Sequence, residues 1–108
     1  SGVRHEGRFY RMALQPTAEV TPAAPIPVYL AGFNARMVQA AGAVADGLVG
    51  HPIFTRRYVQ DVVRPALAAG AARTGRTGEV PVAGYVITSV ADDGDRARRD
   101  AAAQIAFY

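Results

Sequence analysis

The most informative segment for the fold class is Val28-Tyr-Leu-Ala-Gly-Phe-Asn-Ala-Arg-Met-Val38. Its first four residues, together with the preceding Pro27, form the apolar run Pro27 to Ala31. This run has no polar alternation, which predicts a strand covered on both faces as in a parallel sheet. From Asn34, a good N-cap residue, the period becomes helical. The predicted apolar face of that helix consists of Met37, Ala40, Ala41 and Val44. The stretch therefore predicts a strand that passes through a glycine turn directly into a helix.

Arg36 is an unusual residue for the first turn of this predicted helix. The backbone dipole there is positive and favours Asp or Glu, so a cation costs a few tenths of a kcal/mol unless a negative group lies opposite. Either Arg36 points into solvent while Asn34 simply caps the helix, or an anion binds at the helix start. The residues alone favour the first explanation, because capping residues are routine.

A second strand and helix follow along the chain. Leu48-Val49, between two glycines, predicts a short strand, and Thr55 opens a helix. The apolar side of this helix is formed by Val59, Val62, Val63, Ala66 and Leu67. Pro65 removes one backbone hydrogen bond and is expected to kink or split the helix. The segment Gly70 to Gly78, rich in glycine and threonine, is expected to end the helical region.

A third strand is predicted over Val80 to Val90, which is dense in β-branched residues, and Asp92-Asp93 cap a last helix. Before these units, residues 3–12 predict short extended segments around a turn, and Gln15 to Pro25 predict a loop. The repeated order of strand and helix predicts right-handed crossovers and a parallel sheet. The expected class is α/β, with about three parallel βα units preceded by a short extended segment.

Length and composition restrict the classes of protein. The chain has 108 residues, is 50% hydrophobic and contains no cysteine. We expect a single unit over residues 1–108, with Ser1-Gly2 read as a tag remnant, and a cytoplasmic location with no membrane partner. The net charge is +3, carried by arginines spread among acids, so nucleic acid is not an expected partner.

Candidate metal ligands and catalytic residues are few. Two histidines and no cysteine do not predict a transition-metal site. The segment Asp92-Asp-Gly-Asp95 lacks the ligand spacing of a calcium loop, so we expect it to cap a helix. His51 follows the second predicted strand, where it either contacts a ligand or packs against Pro52. No residue pattern identifies a catalytic acid, base or nucleophile.

Several sequence blocks resemble one protein family in order and spacing. These blocks are His5-Glu-Gly-Arg-Phe-Tyr10, Pro25-Ile-Pro-Val-Tyr-Leu-Ala-Gly-Phe33, Ala45-Asp-Gly-Leu-Val-Gly50 and the helix Tyr58 to Gly70. They look like the C-terminal half of luciferase-like monooxygenases and their deazaflavin-dependent relatives. The resemblance implies a partial (β/α)₈ TIM barrel, roughly the last three strand-helix units of a fold that typically needs about 250 residues.

The resemblance also implies a ligand for the helix start. In similar proteins the backbone of this turn holds the phosphate of FMN or of the deazaflavin coenzyme F420. A helix N-terminus offers unpaired N–H donors, and a guanidinium can clamp phosphate. The implied cofactor-binding residues are Gly32, Phe33, Asn34, Ala35, Arg36 and His51.

Three functions remain open at this point. The first is a segment of a flavin- or deazaflavin-dependent oxidoreductase, of monooxygenase or dehydrogenase type, that contributes the phosphate-binding turn. The second is a non-catalytic, self-associating structural module, because three parallel strands leave open edges and a helix ends near Tyr108 without a stop signal. In either case the expected partner is a second copy or the missing barrel half. The third, a basic module that binds polyanions, predicts steep salt dependence.

Overall fold

The computed structural model describes residues 2–15 and 22–107. Its first element is an antiparallel hairpin of β1 (Val3–Glu6) and β2 (Arg11–Leu14), with Val3 opposite Leu14. The Gly7 N–H donates to the Tyr10 carbonyl at 2.8 Å and closes the turn. The extended segments predicted around a turn are thus confirmed, while residues 16–21 of the predicted loop lie outside the described residues.

A three-stranded parallel sheet forms the centre of the fold. It consists of β3 (Tyr29–Ala31), β4 (Gly47–Val49) and β5 (Val82–Ala83), in that spatial order. In the register, Leu48 lies opposite Leu30 on one side and Val82 on the other. The predicted parallel α/β arrangement is therefore present.

Helices connect and follow these strands. α1 (Ala35–Val44) links β3 to β4, and a longer helical run leads from β4 towards β5. That run comprises α2 (Arg56–Tyr58), a turn of π-helix (Val59–Val63) and α3 (Arg64–Arg73). The last helix is α4 (Gly94–Phe107). No helix within the described ranges is both long and apolar enough to cross a membrane.

The core lies between α1, α3 and β4. Leu48, Val38 and Val63 are fully buried at its centre. The other buried apolar residues are Ala41, Ala45, Leu67, Ala71 and Val80. Because α1 packs against both β3 and β4 and is itself covered by α3, the start of α1 is held at the end of β3.

Two glycines allow α1 and α3 to cross closely. A Cβ at Gly70 would lie 2.0 Å from the carbonyl oxygen of Gln39, and one at Gly42 would lie 2.2 Å from that of Leu67. Helix α3 continues through Gly70 to Arg73. The helical region thus ends within the segment Gly70 to Gly78, as predicted, with Thr74 as the C-cap. Gly70 itself serves helix packing and does not terminate the helix.

The predicted apolar face of α1 is displaced by one residue. Its buried residues are Val38, Ala41 and Gly42, whereas Met37 and Val44 are 48% and 74% exposed. Neighbouring residues on a helix point about 100° apart, so local periodicity permits either stripe. The stripe that contains Gly42 is selected because only it allows α3 to approach.

Two predictions about strands are also wrong. β3 is exposed along its length and is not covered on both faces, because α1 is the only described helix that packs against it. Within Val80 to Val90 only Val82–Ala83 pair in the sheet, and Val86 and Val90 are 83% and 93% exposed. High β propensity does not form a strand without a neighbour to pair with.

Pro65 does not split its helix. The residues before it form the π-helical turn, in which the Arg64 N–H donates to the Val59 carbonyl, and Pro65 lies in the first turn of α3. A wider turn of this kind accommodates a residue that has no N–H to donate. The irregularity expected from the proline is therefore local, and the helical run continues.

The predicted caps are confirmed. The Asn34 Oδ1 accepts a hydrogen bond from the Met37 N–H at 3.1 Å, and the Thr55 Oγ1 accepts one from the Tyr58 N–H at 3.1 Å. The Asp93 Oδ1 accepts from the Asp95 N–H at 2.9 Å at the start of α4. The Asp92 to Asp95 segment thus serves as a helix start.

Candidate functional site

The carboxyl ends of the three parallel strands meet at a groove of about 330 Å³. Phe33 follows β3, His51 follows β4 and Tyr85 follows β5, and all three side chains line this groove. The remaining lining residues are Ala31, Gly32, Met37, Val49, Gly50 and Pro52. The groove is mostly apolar and lies beside the first turn of α1. Ligands of parallel α/β folds bind at this edge of the sheet.

Gly32 is buried between the sheet and α1. Its N–H donates to the Val49 carbonyl at 3.4 Å and extends the pairing of β3 with β4. A Cβ at this position would lie 3.2 Å from Leu48 Cδ1 and 3.3 Å from the Val38 nitrogen. A glycine therefore lets the chain turn tightly from β3 into α1.

The start of α1 presents a row of free donors. The N–H groups of Phe33, Asn34, Ala35 and Arg36 form no hydrogen bond within the described ranges. The first turn contains no acidic residue. The exposed Arg36 side chain makes no ion pair with any described residue. Unpaired donors, a positive dipole end and a guanidinium together create an electrostatic environment that favours an anion.

Four rings beside this turn form an aromatic cluster of Phe33, His51, Phe54 and Tyr58. The Phe33 ring meets the His51 ring edge-on at 5.0 Å and stacks on the Tyr58 ring at 6.2 Å with an interplanar angle of 26°. Phe54 contacts Phe33 at 5.7 Å and Tyr58 at 5.1 Å. Such pairs stabilise a site by about 0.5–1.5 kcal/mol each beyond simple burial.

Tyr58 has a second role in the cluster that the sequence did not indicate. Its hydroxyl donates a hydrogen bond to the Phe33 carbonyl at 2.9 Å. From the sequence Tyr58 is read as a packing residue, and nothing local marks its partner, which lies 25 residues earlier in the chain. Tyr85 and Phe107, by contrast, are 65% and 87% exposed.

His51 is half-buried in the wall of the groove. Its Nδ1 accepts a long hydrogen bond from the Ile53 N–H at 3.4 Å. The ring lies against Phe33, so the structure brings His51 together with the Gly32 to Arg36 turn. His5 is in β1 and lines no part of this groove.

Asp46 is another residue whose role only the structure reveals. Its carboxylate accepts the Val28 N–H at 2.7 Å, and its own N–H donates to the Val28 carbonyl at 2.9 Å. This reciprocal pair fixes β3 beside β4 at the amino end of the sheet. Asp46 thereby sets the register that brings Phe33 and His51 together at the other end.

The described residues contain no cluster of three histidine, cysteine or acidic side chains able to hold a metal ion. A parallel sheet with an apolar groove and an anion-favouring helix start is typical of α/β proteins that bind phosphorylated ligands. The profile of the luciferase-like monooxygenase family matches residues 1–108, and the chain belongs to this family. The resemblance drawn from the sequence blocks is confirmed.

Individual relatives agree with this family. An uncharacterized protein of Mycobacterium tuberculosis (strain ATCC 25618 / H37Rv) is 40% identical over 112 residues, which cover 95% of this chain and 32% of that protein. The coenzyme F420-dependent tetrahydromethanopterin reductase from Methanopyrus kandleri has a TM-score of 0.72 and 27% identity, over 97% of this chain and 30% of its own.

A second solved structure is similar in fold. An F420-dependent secondary alcohol dehydrogenase, in complex with an F420-acetone adduct, has a TM-score of 0.75 at 21% identity over 91% of this chain and 29% of its own. The chain thus spans about a third of the length of these relatives. Its α/β fold is similar to part of the fold of F420-dependent members of the family.

Proposed function

We propose that this chain is the coenzyme-phosphate-binding part of an F420-dependent oxidoreductase, built as the last three βα units of a luciferase-like barrel. The observation that carries the proposal is the position of the free donors of α1 beside the apolar groove at the carboxyl ends of three parallel strands. F420 is favoured over FMN because the two similar solved structures are F420-dependent enzymes.

The residues fit the two chemical parts of such a coenzyme. The N–H groups of Phe33, Asn34 and Ala35, with the Arg36 guanidinium, would hold the phosphate, since donors and a positive charge converge there. Gly32 keeps the turn close to the sheet. The apolar wall that includes Met37 and His51 would lie along the deazaflavin portion and exclude water.

A bound deazaflavin supplies the hydride chemistry, and the protein supplies binding and orientation. The contribution of this chain is to fix the phosphate and so the position of the coenzyme in the groove. We assign no general acid or base. His51 is proposed as a coenzyme contact because it lines the groove and its ring lies against Phe33.

The proposal predicts that Arg36→Ala weakens F420 binding about tenfold. An exposed hydrogen bond to a charged group contributes about 1.5 kcal/mol, at the lower end of its range because solvent screens it. The measurement is a fluorescence titration of the 108-residue chain with F420 and, separately, with FMN.

Arg73→Ala is the matched control, because it removes the same charge from the last turn of α3. It should leave the affinity for F420 unchanged. Equal losses of F420 affinity in both variants would show that Arg36 acts only through the net charge of the chain. An unmodified chain that is folded but binds no F420 would refute the proposed function.

A second candidate function is a self-associating structural module. It is favoured by the open outer edges of β3 and β5 and by the exposed apolar residues of β3, which a second copy would cover. This candidate predicts association without coenzyme, whereas the first predicts saturable F420 binding.

A further inference from the structure

We propose that Tyr58 is a positioning residue for the coenzyme phosphate, acting through the peptide group between Phe33 and Asn34. This inference rests on the proposed function of the Gly32 to Arg36 turn. Tyr58 belongs to α2, which follows the next strand of the sheet, yet its hydroxyl reaches the Phe33 carbonyl at 2.9 Å. Within the described ranges it is the only donor to that carbonyl.

Because a peptide group is planar, the hydrogen bond from Tyr58 to the Phe33 carbonyl also affects the direction of the Asn34 N–H. The described residues contain no cis peptide bond, so the Phe33 carbonyl and the Asn34 N–H point in opposite directions across one plane. A hydroxyl that holds the carbonyl therefore fixes the direction of the Asn34 N–H. That N–H is one of the unpaired donors at the start of α1.

Tyr58 is itself held firmly enough to serve this purpose. Its backbone N–H donates to the Thr55 Oγ1 at 3.1 Å, and its ring packs against Phe54 at 5.1 Å. The stacked Phe33 ring keeps the hydroxyl facing the turn. The Tyr58 side chain thus joins α2, which follows β4, to the turn that follows β3. It thereby restricts the movement of that turn.

Removal of the hydroxyl alone tests the inference. Tyr58→Phe keeps the ring stacking but frees the Phe33–Asn34 peptide to rotate. We expect F420 affinity to fall about fivefold, the effect of one neutral hydrogen bond. The affinity for the phosphate-free deazaflavin fragment of the coenzyme should not change. Both affinities are measured by fluorescence titration of the full 108-residue chain.

Tyr29→Phe is the matched control, because the Tyr29 hydroxyl makes no hydrogen bond with the described residues and Tyr29 does not line the groove. It should bind both ligands as the unmodified chain does. Unchanged F420 affinity in Tyr58→Phe would overturn the inference. Equal losses for both ligands would also overturn it, since they would indicate a general loss of structure.

A second measurement separates this inference from the proposed function. The amide resonance of Asn34, recorded by NMR without ligand, should shift in Tyr58→Phe and stay in place in Tyr29→Phe. An unmoved Asn34 resonance would overturn the positioning role even if F420 binds. If the unmodified chain binds neither ligand, the proposed function fails, and the Asn34 resonance alone decides whether Tyr58 holds the turn.

Discussion

At the scale of single residues, positions without a side chain determine how closely the layers pack. Gly42 and Gly70 lie where α1 crosses α3, and at each of them a Cβ would overlap the backbone of the opposite helix. The cost of glycine in a helix, roughly 0.5–1 kcal/mol relative to alanine, is accepted because no larger residue permits this crossing. The crossing in turn fixes α1, whose first turn forms the candidate site.

Gly70→Ala should therefore destabilise the chain by about 3 kcal/mol or more, since the backbones must separate to admit the methyl group. Urea unfolding followed by circular dichroism measures the free energy of unfolding. Gly84→Ala is the control, because a Cβ there meets nothing within 4 Å and the Gly84 φ is not positive. It should be neutral or slightly stabilising. Similar stability of the two variants would contradict the close crossing.

At the scale of elements, α1 and α3 are held by packing against each other, whereas α4 has only local signals to stabilise it. α4 has its predicted cap and exposed pairs such as Arg98–Asp95 at 2.8 Å. It nevertheless contains no buried residue and packs against no other described helix or strand. A helix of 14 residues held only by its own hydrogen bonds is marginal in water.

Amides of α4 should therefore exchange with deuterium at least about a hundredfold faster than those of α3, because they open locally without unfolding the core. Hydrogen exchange read by NMR gives both rates in one sample, with α3 as the internal control. If α4 were protected as well as α3, a packing partner such as a second copy would have to cover it.

At the scale of the whole molecule, much apolar surface is uncovered. The radius of gyration is 18.6 Å, compared with about 13 Å for a compact domain of this length. Val28, Phe9 and Tyr10 are 59%, 78% and 80% exposed. The hairpin packs against no other described helix or strand. Relatives that are three times as long share this fold over their matching third.

We expect the isolated chain to self-associate, because open strand edges beside exposed apolar residues favour pairing with another copy. Light scattering across a concentration series should show a mass that rises above 11.4 kDa. A low urea concentration, about 0.5 M, should shift the equilibrium between associated chain and monomer towards monomer before the core unfolds. A monomeric mass at every concentration would exclude self-association.

The candidate site could be predicted in part. The sequence located the turn from Gly32 to Arg36, and its cap at Asn34 is confirmed, because capping depends on residues within one turn. The approach of His51 to Phe33 could be expected only from the alternation of strands and helices. The contact of Tyr58 with the Phe33 carbonyl could not be expected, since it joins separate βα units.

Local periodicity, capping chemistry and ordered sequence blocks were sufficient to predict the order of strands and helices, their caps and the family. Tertiary packing selected the buried stripe of α1, placed Gly70 inside α3 and left Val86 and Val90 outside the sheet. Each of these depends on which other part of the chain lies opposite. Local spacing fixes what a segment can form, and its neighbours in space select what it does form.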